Sequence, residues 1–115
     1  MIPKSKRFPM RTQFLEFRRL ARRFFSQNLI LYYRPSSEIK LAVVVPKKVN
    51  RRAVVRNRLK RLLKKELLKY QLGWMVVLVK SAHLEKSQLS PVVEELLSLL
   101  RELSKTQHLV INNKR

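Results

Sequence analysis

Residues 46–68 read Pro46-KKVNRRAVVRNRLKRLLKKEL-Leu68, and no other part of the chain carries so regular a pattern. With Val55 at zero on a helical wheel, Leu59, Leu62, Leu63, Glu66 and Tyr70 fall between about −20° and +80°. That stripe predicts a helix over residues 51–70, docked on a core through one side. Arg56, Asn57, Arg58, Lys60, Arg61, Lys64 and Lys65 fill the remaining arc. The span from Arg56 to Lys65 is only about 14 Å long, and it holds six like charges. Glu66 is their one local counter-charge. Such a helix must be held by packing its apolar stripe, and a bound polyanion would relax its repulsion. The bias to arginine matters, because a guanidinium offers a planar donor fork that fits phosphate. Asn57 adds an uncharged, directional group suited to a sugar hydroxyl, a base edge or backbone.

The rest of the chain sets this helix in context. There are 115 residues, with 27 Lys+Arg, 7 Asp+Glu and a formal net charge of +20. The length fits a single domain, and a hydrophobic fraction of 45% excludes a disordered basic tail. Residues 47–65 hold ten basic side chains and no acid, residues 1–27 hold eight and one, and residues 28–46 are nearly neutral. A surface built only for solubility would mix signs. A membrane-surface helix would need a wide apolar face free for lipid, whereas this stripe is matched by two apolar strands nearby. The charge therefore predicts a nucleic-acid partner.

Composition removes several classes of chemistry. There is no cysteine, so disulfides, thiolate metal sites and thiol nucleophiles are excluded. The acids are all Glu and scattered, which argues against a carboxylate pair or metal cage. His83 and His108 share no ligand spacing and read as incidental. Gly73 is the single glycine, so a glycine-rich phosphate loop is excluded. No apolar stretch follows the basic start, and the longest apolar runs, Leu41–Pro46 and Trp74–Val79, are far too short to span a bilayer. A cytoplasmic protein without membrane association is expected. The acid-poor N-terminus also admits a transit peptide, but the same residues read as part of the folded unit.

Residues 1–10, with Pro3 and Pro9, suggest a flexible basic arm, residues 11–105 the folded domain, and residues 106–115 a flexible tail. Thr12 is suited to cap a helix running to about Phe25. Phe14, Phe17, Leu20, Ala21, Phe24 and Phe25 would share its inner side, opposite Arg18, Arg19, Arg22 and Arg23. Leu29–Tyr33 reads as a strand in which Tyr32 and Tyr33 point to opposite faces. Ile39–Val45 and Trp74–Val79 read as strands buried on both faces, the latter entered through Gly73 as a helix stop. Ser90 and Pro91 predict the start of a last helix, with Glu94 and Glu95 near its positive end. Phe17, Phe24, Phe25 and Trp74 read as core. The order of elements predicts an α/β sandwich, helices packed on a sheet.

Ala53-Val-Val-Arg-Asn-Arg-Leu-Lys-Arg61, preceded by Lys47-Lys48-Val49, resembles the signature of the protein subunit of bacterial ribonuclease P. The likeness extends to Phe14, to Asn28-Leu-Ile-Leu-Tyr-Tyr33 and to Trp74–Val79, over roughly residues 6–105. It implies an α+β sandwich, ribosomal protein S5 domain 2-like, with about four strands and an unusual left-handed βαβ crossover. It further implies that the protein is not the catalyst. The RNA subunit would remove the 5′ leader of precursor tRNA, with Mg²⁺ held through the holoenzyme RNA and no cofactor bound by the protein alone. Lys47, Lys48, Arg51, Arg52, Arg56, Asn57, Arg58, Lys60, Arg61, Lys64 and Lys65 would face that RNA. A cleft between the first helix and the sheet, with Phe14, Arg18, Arg22 and Tyr32, would take the single-stranded leader, and the protein would be monomeric without RNA. Arg18 stands where the family often has a second aromatic, and Ala21 where glycine is common. A ribosomal or other structural RNA-binding protein would share the charge and fold class. A helix-turn-helix DNA binder would need a helix, not an apolar strand, before the basic helix, and a protein nuclease would need carboxylates this chain lacks.

Overall fold

The structure, a computed structural model, describes residues 2–70 and 72–114, with side chains as far as Lys105. The tail expected over 106–115, His108 included, lies outside the residues so described. The elements are α1 (Met10–Leu20), β1 (Arg22–Phe25), β2 (Leu29–Pro35), β3 (Lys40–Val44), α2 (Ala53–Lys69), β4 (Gly73–Val79) and α3 (Leu89–Lys114). The strands form one mixed sheet in the order β1-β2-β4-β3. β1 pairs β2 and β2 pairs β4 antiparallel, while β3 and β4 run parallel, joined through α2. This is the single-domain α+β architecture, with the four strands that the family resemblance implies; the pattern of elements alone gives helices packed on a sheet and leaves out β1.

Registers assign each strand residue to a face, because side chains alternate along a strand and paired residues share a side. Leu29, Leu31 and Tyr33 of β2, Leu41 and Val43 of β3, and Met75, Val77 and Val79 of β4 lie on one face. All are buried there against Val55, Leu59, Leu63 and Leu67 of α2 and Val92, Leu96, Leu100 and Leu103 of α3. The α2 stripe therefore includes Leu67, and Glu66 sits at its margin, paired with Lys69 at 3.2 Å and not with the cations upstream. The other face is covered by α1 and the N-terminal segment that precedes it. There Phe17, Phe8, Tyr32 and Val76 form a smaller buried cluster, with Phe14 and Trp74 at its rim.

Three expectations are corrected. The helix over 12–25 ends at Leu20: Ala21 turns to extended backbone (φ −77°, ψ 148°), and Arg22–Phe25 pair with Ile30–Tyr33 as a strand. Its start is preceded by Pro9, without a Thr12 cap. β3 is buried on one face only, with Ala42 and Val44 half-exposed, because it is an edge strand that α1 does not cover. Residues 2–8 do not run free as an arm. Ile2 and Phe8 are buried, Lys4–Lys6 form a 3-10 turn, and Arg7 bridges to Leu41 on the β3 edge. The apolar residues at 2 and 8 outweigh the basic ones between them, which remain at the surface.

The β1–β2 turn is clasped from α3. Glu95 accepts hydrogen bonds from the Ser26 hydroxyl (2.6 Å), the Asn28 backbone N–H (2.8 Å) and the Asn28 side-chain amide. The helix itself opens earlier than Ser90, after a 3-10 turn at Lys86–Gln88 with a reciprocal Glu85–Gln88 capping box. Bonds to a carboxylate are each stronger than neutral ones. Glu95→Ala is therefore expected to destabilise the fold by about 2 kcal/mol, lowering the thermal midpoint by roughly 10 °C. Differential scanning calorimetry checks this, with Glu95→Gln falling between the two.

Candidate nucleic-acid interface

Docking of α2 through Val55, Leu59, Leu63 and Leu67 turns its other side outward. Asn57, Arg58, Arg61 and Lys65 are exposed, as are Lys47, Lys48, Arg51 and Arg52 in the approach to the helix. The side chains of Arg58, Arg61 and Lys65 make no hydrogen bond or ion pair within the described residues. Arg56, Lys60 and Lys64 are half-buried along the flank of the helix. Arg56 has a task of its own: its guanidinium donates to the carbonyls of Asn50 (2.8 Å) and Arg51 (3.1 Å), fixing the loop that enters α2. Burial, with help from Lys60 and Arg7, holds the Lys64 ammonium below its ordinary pKa. A cation with a lowered folded-state pKa opposes folding at pH values below that pKa, and the penalty fades as pH rises through it. An anion at this spot would reverse the shift.

The entry loop is tied to a distant segment. Asn50 donates to the Leu84 carbonyl (2.8 Å) and accepts from the Arg52 N–H, while His83 and Leu84 donate their N–H groups to Lys48 and Val49. Lys47, Lys48, Arg51 and Arg52 thereby line one depression with His83, Leu84 and Glu85. His83 holds a positive φ of 58° at the bend. Sequence reasoning misses Asn50 and His83 as supports, since only the tertiary contact between loops reveals them.

A second surface lies on the α1 face of the sheet. Phe14 meets Tyr32 edge-on at 5.4 Å between ring centres, and Phe17 and Phe8 lie behind them at 4.8 Å from each other. Tyr32 is 5% exposed, so Phe14 and its neighbours cover most of it. Arg18 is exposed at the end of α1. Arg22 does not join this group. It pairs with Tyr33, so it belongs to the α2–α3 face, where its guanidinium lies 5.5 Å from the Phe24 ring. Arg23 takes the place expected of Arg22, 5.8 Å over the Tyr32 ring. The exchange follows directly from residues 22–25 forming a strand. Tyr33 is buried on the other face, donates to the Leu72 carbonyl and has its pKa raised by that burial.

The two surfaces meet at the β3 edge, where Arg7 and Lys64 line a shallow depression with Ile2, Phe8, Leu41, Ala42 and Val43. Cationic surface thus runs from α2 past the edge strand to the α1 face. Among the described residues no helix is long and apolar enough to cross a membrane, and no cluster of His, Cys, Asp or Glu could hold a metal ion.

Comparisons with known proteins agree with this arrangement. The ribonuclease P protein of Staphylococcus aureus superposes with a TM-score of 0.65 at 21% identity, over 84% of this chain and 95% of that one. The ribonuclease P protein of Thermotoga maritima gives 0.67 at 22% identity, over 84% and 96%. At such identities the likeness concerns the fold. No match is found among curated proteins. The family model described as Ribonuclease P matches residues 2–104, a span that takes in the cationic helix, the sheet and both surfaces, and the chain accordingly belongs to the family of bacterial ribonuclease P proteins, with the part in tRNA processing that this entails.

Proposed function

We propose that this chain binds ribonuclease P RNA through the outer face of α2 and its entry loop, and holds the single-stranded 5′ leader of precursor tRNA on the α1 face of the sheet. The observation that carries the reading is the unpartnered cationic face: Arg58, Arg61 and Lys65 are exposed, with no acid among the described residues paired to them. Among the described residues no cluster of His, Cys, Asp or Glu could hold a metal ion for the hydrolysis. The RNA subunit would carry it with Mg²⁺ held by RNA, while the protein neutralises phosphate crowding and so raises metal occupancy and substrate affinity. The α1 face suits a single strand of any sequence, because aromatic and apolar groups give base platforms and cations track the backbone. A cytoplasmic site of action, and a monomer before RNA is bound, belong to the same reading.

Reconstitution with a bacterial ribonuclease P RNA at low Mg²⁺ tests it. Leader removal from precursor tRNA is expected to rise strongly on addition of the protein, and the gain is expected to fall steeply with salt, since each neutralised phosphate adds roughly 0.7–0.9 to the slope of log K against log salt. An equal cleavage rate with and without the protein sinks the proposal and leaves a structural RNA-binding role.

A further inference from the structure

One large aromatic stands apart from the cluster of Phe8, Phe14, Phe17 and Tyr32. Phe25, the last residue of β1, is 59% exposed. It pairs with Ile30, so it lies on the α1 face, two residues along from Arg23 beside Tyr32. α1 is only 11 residues long and leaves this end of the sheet open. Ile30, Leu78 and Val44 are only partly buried there in neighbouring strands. The Lys80 ammonium lies 5.5 Å from the centre of the Phe25 ring. The exposed end of the sheet is thus an apolar strip with an aromatic ring at its edge, a cation against that ring, and no acid among the strand residues of that face.

An exposed apolar strip could take another protein, a second copy or a nucleic acid, and charge decides among them. The strip is flanked by Arg18, Arg23 and Lys80 and continues the aromatic surface of Phe14 and Tyr32. Two copies of so cationic a chain, at net +20, would repel across it. A single-stranded polyanion fits, because every base has a π-face and every nucleotide a phosphate. We propose that Phe25 is a stacking platform for one base of the single strand, with Lys80 serving the adjoining phosphate. The assignment rests on the leader-binding reading and extends the binding surface beyond Phe14 and Tyr32 to the β1 edge.

The test uses the reconstituted holoenzyme, with precursor tRNA carrying 2-aminopurine at successive leader positions, and with leaderless tRNA as control. Phe25→Ala is expected to weaken binding of the leader-bearing RNA about tenfold, the usual scale of a lost base stack, and to leave leaderless tRNA unchanged. Fluorescence quenching at one leader position should disappear in Phe25→Ala and return in Phe25→Trp. Lys80→Ala should weaken binding less and lower the salt slope. If Phe25→Ala binds the leader within twofold of the parent protein and keeps the quench, the platform is wrong while leader binding stands. If the parent protein does not prefer leader-bearing RNA at all, the leader reading itself fails and the platform falls with it. If Phe25→Ala alters the sedimentation of the free protein with leader affinity unchanged, a second copy covers the strip and the assignment is overturned.

Discussion

Replacing Arg58 and Arg61 together by alanine is expected to weaken binding of ribonuclease P RNA by about 100-fold or more, with the fold intact. Both side chains are exposed and unpartnered within the described residues, so their removal strands no internal group. Each hydrogen-bonded charge contact to phosphate contributes roughly 1.5–3 kcal/mol, and two such losses compound. The salt slope should fall by roughly 0.7–0.9 for each phosphate released. Thermal stability should hold or rise slightly, because two of six crowded like charges leave the helix. Lysine at both positions keeps the charge and loses the planar fork, so it should recover part of the affinity only. Filter binding across a salt series reads all three quantities, and unchanged affinity would remove these arginines from the interface. Arg56 is the poorer probe. Its guanidinium holds the Asn50 and Arg51 carbonyls, so Arg56→Ala loosens the loop that carries Arg51 and Arg52 as well as removing a cation.

The contrast between Arg56 and Arg58 shows where a sequence stops being legible. Period and charge locate α2, its buried stripe and its outer face, because those properties repeat every turn within one element. They cannot say which cation is spent on a carbonyl six residues away. The same limit explains residues 22–25. Phe24 and Phe25 continue the helical wheel of Phe14 and Phe17 well, and only pairing with Ile30–Tyr33 shows that extended backbone wins there. That one change of period moves Arg22 to the far face, brings Arg23 to Tyr32 and carries Phe25 out of the core into solvent. A related limit applies to β3. A continuous apolar run reports that a strand is apolar, while burial of its second face depends on how far α1 reaches. The N-terminal stretch is obscured by its own charge: Lys4, Lys6 and Arg7 suggest an arm, and the buried Ile2 and Phe8 on either side of them are too few to form a pattern.

Gly73→Ala is expected to cost about 3 kcal/mol or more, a fall in the thermal midpoint of roughly 15 °C. Its reading as a helix stop understates the constraint. Gly73 is the first residue of β4, opposite Pro35, and its φ is +144°, a value that side-chain-bearing residues rarely adopt. A Cβ there would lie 2.6 Å from the Arg34 carbonyl oxygen and 2.9 Å from the Ser36 nitrogen, and both are backbone atoms that cannot swing aside. Torsion and clash therefore act together, and relief requires β2 and β4 to part at this end. The next residue is Trp74, whose ring stands edge-on to Phe8 at 5.6 Å and tilted to Phe17 at 6.1 Å. Those contacts hold α1 and the N-terminal segment on the sheet. α2 packs on the opposite face, against Leu41, Val43 and its own partner helix. The two surfaces should consequently respond unequally: in the folded fraction of Gly73→Ala, leader affinity should fall several-fold while binding of ribonuclease P RNA through α2 stays near that of the parent protein. Equilibrium urea unfolding measures the stability loss, and paired binding measurements on leader-bearing and leaderless RNA measure the split. Equal losses on both would mean that the α1 face and the α2 face are coupled through the sheet rather than separately supported.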